Sequence, residues 1–405
     1  MKNLLKLISA VAFLFLALKA QDFPELVSSE EKSSDQLAFE QMARFTMAME
    51  QIHNLYVKSG KEVSYEELID GAIRGMMSQL DDHSQYMDSE NLKNLKEISQ
   101  EAFGGVGIVI NRVGNWVTVV SPIQGSPGWN AGLLAGDQIR EIDGVSARGI
   151  SIEEAVNQLR GEPGSQVSVQ IRRPSENRFF DVNLTRSVIE TPSVSESFVL
   201  EEGIGYVRIK TFSEKTANLL RRELTSLNRK DVKGLVLDLR GNPGGLLRSA
   251  VEVASLFLPS DTLVVYTQGR DEEVRKDYKT IIGPHRMQPK LVVLINEGSA
   301  SASEVVSGAL QDYGRAVLVG ETSYGKASVQ SIITLPNGSA LKLTTASYFT
   351  PSDRQIHEKG IDPDVEVSFP IRRWFMLQDE LNPDNWSTDT QLNKAVEILR
   401  ADLKG

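Results

Sequence analysis

An α/β core, preceded by a mostly β domain and by a small helical unit, is the fold class that the sequence predicts. The core is read from alternation beyond residue 200. Strand-like Gly205-Tyr-Val-Arg-Ile209 precedes a helical stretch at 216–227, and strand-like Gly234-Leu-Val-Leu-Asp-Leu239 precedes a helix carrying Val251, Ala254, Ser255 and Leu258. Such alternation favours parallel strands joined by helical crossovers. The β domain is read from Gly104-Gly-Val-Gly-Ile-Val-Ile110, Trp116-Val-Thr-Val-Val120 and the strict alternation of Val167, Val169 and Ile171. The helical unit is read from Phe45, Met49, Ile52 and Tyr56, which recur at spacings of four, three and four on one helical stripe.

At 405 residues the chain exceeds what one ordinary core accommodates, so two or three domains are expected. The boundaries read as an export signal at 1–20, a linker and helical region at 21–98, the β domain at 99–188, the α/β core at 189–370 and a helical tail at 371–405. Lys2 and Lys6 form a positive n-region, residues 7–18 are apolar apart from Ser9, and Lys19-Ala20 ends the run. Twelve helical residues span about 18 Å, short of a hydrocarbon core of roughly 30 Å. Cleavage after Ala20 is therefore expected, although Leu18 is larger than the usual residue at that position. Either cleaved or retained as an anchor, the segment predicts an exported protein, periplasmic or at the outer face of the inner membrane.

Residues 21–35 are polar and read as a linker. Ser64 with Glu67 forms a capping box that opens a second helix carrying Leu68, Ile69, Ala72, Ile73, Met76 and Leu80. The methionines of this unit read as core packing rather than as a metal or cofactor site. In the β domain Gly125-Ser-Pro127 and Asp143-Gly144 mark turns, and Ser151 with Glu154 caps a helix bearing Ile152, Ala155, Val156 and Leu159.

Composition excludes several classes. Net charge is -10 without a basic block, which argues against nucleic acid. No cysteine is present, so disulfides, thiolate catalysis and Cys-based zinc sites are excluded. No cofactor or metal is expected.

The chemistry concentrates in two segments. Gly298-Ser-Ala-Ser-Ala-Ser-Glu304 follows the apolar run Leu291-Val-Val-Leu-Ile295 and leads into a helical pattern at Ala302, Val305, Val306, Ala309 and Leu310. A serine at such a junction lies beside the unpaired first N–H groups of the helix, which can hold an oxyanion. Ser299, Ser301 and Ser303 are equivalent at this stage. Their base is the harder question. His53, His83, His285 and His357 are the only histidines, none within a strong catalytic motif; His357 leads among them. Lys326, in Gly325-Lys-Ala-Ser-Val-Gln330, fits better if burial keeps its amine partly neutral. Gln330 could orient that amine if the intervening turn is helical or tightly folded. Gly320-Glu-Thr-Ser-Tyr-Gly-Lys326 nearly spells a phosphate-binding loop, but Ala327 stands where a hydroxyl is needed and the following residues favour a strand.

The order of glycines, strands and helix over 99–188 resembles a PDZ domain. Within it Gly104, Gly105, Val106, Gly107 and Ile108 match the loop whose N–H groups hold a peptide's terminal carboxylate, beside an edge that accepts an added strand. The runs Ser299-Ala-Ser-Ala-Ser-Glu304, Gly325-Lys-Ala-Ser-Val-Gln330, Asp238-Leu-Arg-Gly-Asn-Pro-Gly-Gly245, Lys359-Gly-Ile-Asp-Pro-Asp364 and Leu80-Asp-Asp-His-Ser-Gln-Tyr86 resemble the signature segments of the carboxy-terminal processing (tail-specific) serine proteases. Ala327 departs from the glycine common there. The resemblance implies a crotonase-like α/β core and a Ser-Lys dyad with Ser301 as nucleophile, Lys326 as base and Gln330 supporting the lysine. It further implies oxyanion donors from the backbone of Ala302 and of Gly244 or Gly245, and a coupling role for Arg160 between the PDZ domain and the site. The implied partners are proteins or peptides with free C-termini, a second copy docked through the N-terminal helices, and an adaptor protein. A catalytically inactive PDZ scaffold and a phosphate-loop nucleotide-binding protein are the alternatives.

Overall fold

A computed structural model describes residues 34–57, 63–201, 203–271, 274–281, 283–369 and 384–404. The expected export segment at 1–20 and nearly all of the linker lie outside the described residues. The chain forms two compact units, residues 1–73 and 74–405.

The first unit contains α1 (Ser34–Leu55) and the start of α2 (Tyr65–Met77). The capping box forms as the sequence predicts: the Ser64 N–H donates to Glu67 Oε2 at 3.1 Å, and the Glu67 N–H donates to Ser64 Oγ at 3.1 Å. His53 is structural, its ring stacked 4.2 Å from Tyr65 and its Nδ1 2.7 Å from the Val63 carbonyl. The methionines correct an expectation. Met42, Met47 and Met76 are exposed, and only Met77 of the two helices is fully buried. The stripe of α1 is likewise open, with Leu37, Phe39 and Phe45 exposed beside Met42, so its amphipathic spacing does not mark a buried core face.

The second unit begins with β1 (Gln85–Met87), α3 (Ser89–Ser99) and β2 (Ala102–Gly105). Then follow β3 (Ile108–Val113), β4 (Trp116–Pro122), α4 (Pro127–Asn130), β5 (Gln138–Ile142), β6 (Val145–Ser146), α5 (Ile152–Leu159), β7 (Gln166–Arg173), β8 (Arg178–Thr185) and β9 (Ser187–Glu190). The sheet order is β3-β4-β5-β7-β8, antiparallel throughout, with β6 on β5. Val117, Ile139, Val167, Val169 and Ile171 point inward against Ala155 and Leu159 of α5. The Asp143-Gly144 turn between β5 and β6 has φ +50 and +77 at its two residues, the pair of positive values that a tight hairpin requires. β2 pairs with β9 where the chain enters and leaves this domain. The strand foreseen from Gly104 to Ile110 is therefore two strands, broken at Val106-Gly107.

The core comprises β10 (Val194–Glu201), β11 (Ile204–Ile209), α6 (Thr216–Asn228), β12 (Gly234–Asp238), α7 (Leu247–Ser255), β13 (Leu263–Gly269), β14 (Arg275–Lys279) and β15 (Lys290–Ile295). It continues through α8 (Ala302–Asp312), β16 (Val317–Gly320), β17 (Ser328–Thr334), β18 (Ala340–Phe349), β19 (Val365–Glu366) and α9 (Thr390–Lys404). One sheet runs β10-β11-β12-β15-β16-β19, parallel from β11 onward. Its apolar runs are buried on both faces. Leu235, Leu237, Leu291 and Val293 face α6, α7 and α8, while Val236, Val292 and Leu294 face Leu392, Ala395, Val396 and Leu399 of α9. A second, antiparallel sheet runs β1-β18-β13-β14, with β17 also on β18.

A buried ion network joins α9 to the sheet. Arg240 lies 2.6 Å from Asp238 and 2.7 Å from Asp389, all three within 3% of full burial. It also donates to Gln391 Oε1 at 3.0 Å, and Tyr206 donates to Asp238 at 2.8 Å. Replacing Arg240 by alanine leaves two buried carboxylates unpaired. A loss of about 3–5 kcal/mol is expected, measured by urea unfolding of the otherwise unchanged chain.

Candidate active site

The β15–α8 junction sets the site. Ser301 is the N-cap of α8 and holds φ +55, ψ −112, a conformation that costs a non-glycine residue about 1–3 kcal/mol. Both of its backbone groups are held. Its N–H donates to Glu304 Oε2 at 2.6 Å, and its carbonyl receives the Glu304 and Val305 N–H groups at 2.9 and 3.0 Å. The three serines of the run now separate. Ser299 is fully buried, its Oγ donating to the Leu239 carbonyl at 2.8 Å, and Ser303 is fully buried, its Oγ donating to the Asn242 carbonyl at 2.9 Å. Ser301 alone of the three lines a cleft of about 520 Å³.

Lys326 and Gln330 line the same cleft, with Phe212, Leu246, Val305, Val329 and Ile332 among the apolar wall residues. Burial, followed by the like charge of Lys342, holds the Lys326 amine below the ordinary lysine value, against the opposing pull of Asp81 and Glu304. Gln330 sits on β17, not on a helical turn, so the i to i+4 route to the lysine does not operate. Its Nε2 donates instead to Ser328 Oγ at 2.9 Å and to Thr344 Oγ1 at 3.3 Å. Among the histidines His83, not His357, has electrostatic contact with Lys326; His357 is exposed, and His285 is occupied by Thr225 and Met287.

The sequence reading assigned no role to Glu304. It is fully buried and accepts the Ser301 N–H, the Ser323 hydroxyl at 2.7 Å, the Gly325 N–H at 2.6 Å and the Lys326 N–H at 3.0 Å. Burial nevertheless raises its carboxyl above the usual glutamate value, outweighing those donors. The Tyr348 hydroxyl, between the Ser301 and Lys326 carbonyls, bridges the same two segments with its single proton. The signal was in the sequence: Ser301-x-x-Glu304 has the capping-box spacing recognised at Ser64 and Ser151. Glu304 also consumes the Gly325 and Lys326 N–H groups, the donors that a phosphate in this loop would need, and the chain continues into a strand. The nucleotide-binding alternative fails on both counts.

Against the serine run, Gly244 and Gly245 follow Asn242, whose carbonyl receives the Ala300 N–H at 3.0 Å. A Cβ on Gly244 would stand 2.8 Å from Ser301 Cβ and 2.9 Å from the Ala302 nitrogen, so only glycine permits this approach. The Gly244 N–H donates to Asn242 Oδ1 at 2.9 Å. Among the described residues the Gly245 and Ala302 N–H groups have no acceptor, and both residues line the cleft.

In the β domain Gly104 and Gly105 belong to the β2–β9 ladder, leaving Val106, Gly107 and Ile108 as the turn into β3. β3 is an edge strand beside α5. Arg160, the C-cap of α5, lies 4.4 Å over the Phe103 ring and donates to Asn94 Oδ1 on α3 at 3.3 Å. Leu92, Leu95, Lys96 and Ser99 of α3 line the cleft.

A family model described as peptidase family S41 matches residues 203–367, a PDZ domain model matches 118–173, and one described as the activating protease CtpB N-terminal domain matches 9–91. A carboxy-terminal-processing protease of Bartonella bacilliformis is 36% identical over 98% of this chain and 96% of its own length. The carboxy-terminal processing protease CtpB of Bacillus subtilis is 37% identical over 81% of this chain and 68% of its own. A solved putative S41 protease from Bacteroides fragilis, 18% identical, superposes with a TM-score of 0.52 over 94% of this chain and 98% of that one, a likeness of fold.

Exchanging Glu304 for glutamine turns one acceptor oxygen into a donor, so either the Ser323–Gly325 pair or the Ser301–Lys326 pair faces an NH2 group. Glu304→Gln is expected to lose about 2 kcal/mol or more of stability and most peptidase activity, read by thermal unfolding beside turnover of a reporter peptide.

Proposed function

The chain belongs to peptidase family S41, the serine endopeptidases of the carboxy-terminal processing type, and on that premise we propose that Ser301 is its nucleophile and Lys326 its general base. The observation that carries the reading is their shared cleft, with both backbones fastened to the one carboxylate of Glu304. Ser301 Oγ attacks the substrate carbonyl while the neutral Lys326 amine takes its proton. The oxyanion develops toward the Ala302 and Gly245 N–H groups. Lys326 then returns the proton to the leaving amine, and water releases the acyl group by the reverse use of the same base.

Its substrates are proteins or peptides. The finer reading is that a free C-terminus adds as a strand along β3, with its carboxylate at the N–H groups of the Val106-Gly107-Ile108 turn. The free edge of β3 supports this. Arg160 would transmit occupancy to the cleft wall through Asn94, and the exposed face of α1 would serve a second copy of the chain or an adaptor. The core is read as crotonase-like, supported by the parallel βα alternation of β11, β12, β15 and β16. Export, from the apolar segment at 7–18, completes the reading.

Ser301→Ala and Lys326→Ala should each lower cleavage of an unstructured peptide with a free apolar C-terminus by about 10³-fold or more, with the fold intact by circular dichroism. Parent-level cleavage by Ser301→Ala would overturn the dyad and favour an inactive scaffold. An amidated C-terminus should raise KM; equal cleavage of the amidated and free peptides would rule out carboxylate capture.

The lysine's environment predicts a pH dependence. A depressed amine value puts the rising limb of kcat/KM below the ordinary lysine value of 10.5. Lys342→Gln removes the like charge, leaves Asp81 and Glu304 facing the amine, and should move that limb to higher pH with less activity at neutrality. A limb that stays in place would exclude Lys326 as the titrating base.

A further inference from the structure

The Leu80-Asp-Asp-His-Ser84 segment acts on Lys326 through the charge of Asp81, and its hydrogen bonds end at Gln330. Asp81 Oδ1 accepts the His83 and Ser84 N–H groups at 2.8 and 3.0 Å and the Thr344 hydroxyl at 3.2 Å. Asp81 Oδ2 accepts the Ser84 hydroxyl at 2.8 Å, and Ser84 Oγ in turn accepts the Thr344 N–H at 3.0 Å. Thr344 Oγ1 receives Gln330 Nε2 at 3.3 Å. Every donor in this chain points toward one carboxylate.

That polarity decides the orientation of Gln330. An ionised carboxylate only accepts, so the single Thr344 proton is spent on Asp81. Thr344 Oγ1 then has only lone pairs for Gln330 and selects the NH2 end of its amide. Ser328 Oγ receives the same nitrogen. The amide oxygen is the end left over, and among the described residues it accepts no hydrogen bond within the chain.

We propose that Asp81, acting through Thr344, is a positioning residue that fixes the Gln330 amide so that its oxygen, not its nitrogen, is presented to the Lys326 amine. An acceptor orients the amine and its lone pair for proton transfer, whereas an NH2 group would meet the ammonium with like polarity. The inference rests on the Ser301–Lys326–Gln330 reading.

The test is a double-mutant cycle. Thr344→Val removes the hydroxyl and keeps the β-branched shape, and Asp81→Asn gives the carboxylate end a donor. Each is expected to lower kcat about tenfold at unchanged KM, and Thr344→Ser to restore it. Read at the pH plateau of kcat, where the Asp81 charge no longer bears on the protonation of Lys326, either substitution in a Gln330→Ala background should add less than about twofold, because its effect passes through the glutamine. Where Gln330→Ala turns over too slowly, the labelling rate of Ser301 by a fluorophosphonate supplies the scale. Parent-level kcat in Thr344→Val, or an equal loss in both backgrounds, would overturn the proposal and leave these residues as a brace between β1 and β18. If Thr344→Val unfolds, the Asp81→Asn cycle decides alone. An active Ser301→Ala variant would instead condemn the underlying dyad, so the two failures are distinguishable.

Discussion

One buried carboxylate holds the site together. Glu304 gathers donors from the Ser301 N-cap, from Ser323 and from the Gly325-Lys326 turn, segments that α8 and β16 separate along the chain and that the Tyr348 hydroxyl also bridges. The arrangement carries two costs: the strained backbone of Ser301 and a buried charge. Each offsets the other. A short N–H bond at 2.6 Å holds Ser301 in its unusual conformation, and the same donor solvates the carboxylate in place of water. Loss of either leaves the other uncompensated.

Further from the cleft, the same logic fixes the glycine loop that packs against Ser301. Arg240 bridges Asp238 at the end of β12 and Asp389 just before α9, so the loop from 240 to 245 leaves the sheet from a rigid base. Asn242 then fastens that loop to the serine run: its carbonyl takes the Ala300 N–H and the Ser303 hydroxyl, and its Oδ1 takes the Gly244 N–H. Ser299 and Ser303 thus spend their hydroxyls on the frame, and of the three serines only Ser301 lines the cleft. The helix α9, read from sequence as a tail, supplies part of this base by covering the back of the parallel sheet.

What was legible in the sequence was local and periodic. The parallel strands announced themselves as apolar runs between helices, and two capping boxes formed where Ser-x-x-Glu spacing put them. Three serines were equivalent in sequence because their hydrogen bonds reach Leu239 and Asn242, some 60 positions away. Gln330 was read through a helical or tightly folded turn, whereas its partners are Ser328 in the same strand and its cross-strand pair Thr344 on β18. The exposed methionines of α1 and α2 fail for a related reason: amphipathic spacing says that a face is apolar, not what covers it.

The walls of the cleft differ in how firmly they are held. The Ser301 and Lys326 segments sit in the main core, where Ala302, Val305, Val306 and Ala327 are buried together with apolar residues of α6 and α7. The α3 wall rests on a far smaller cluster, Leu92 with Met87 and Ala340, and on few polar ties: Arg160 to Asn94 and the Glu214 N–H to the Ser99 carbonyl at 3.1 Å. Segments with few buried apolar contacts open at lower free energy than the core does. On the proposed coupling, a signal arriving from the β domain would act most cheaply on α3, moving Leu92, Leu95 and Lys96, which line the cleft. Displacing Ser301 or Lys326 would require breaking the Glu304 bonds. On the proposed assignment, physical economy separates the two jobs, with the chemistry built into the stiff wall and access to it into the soft one.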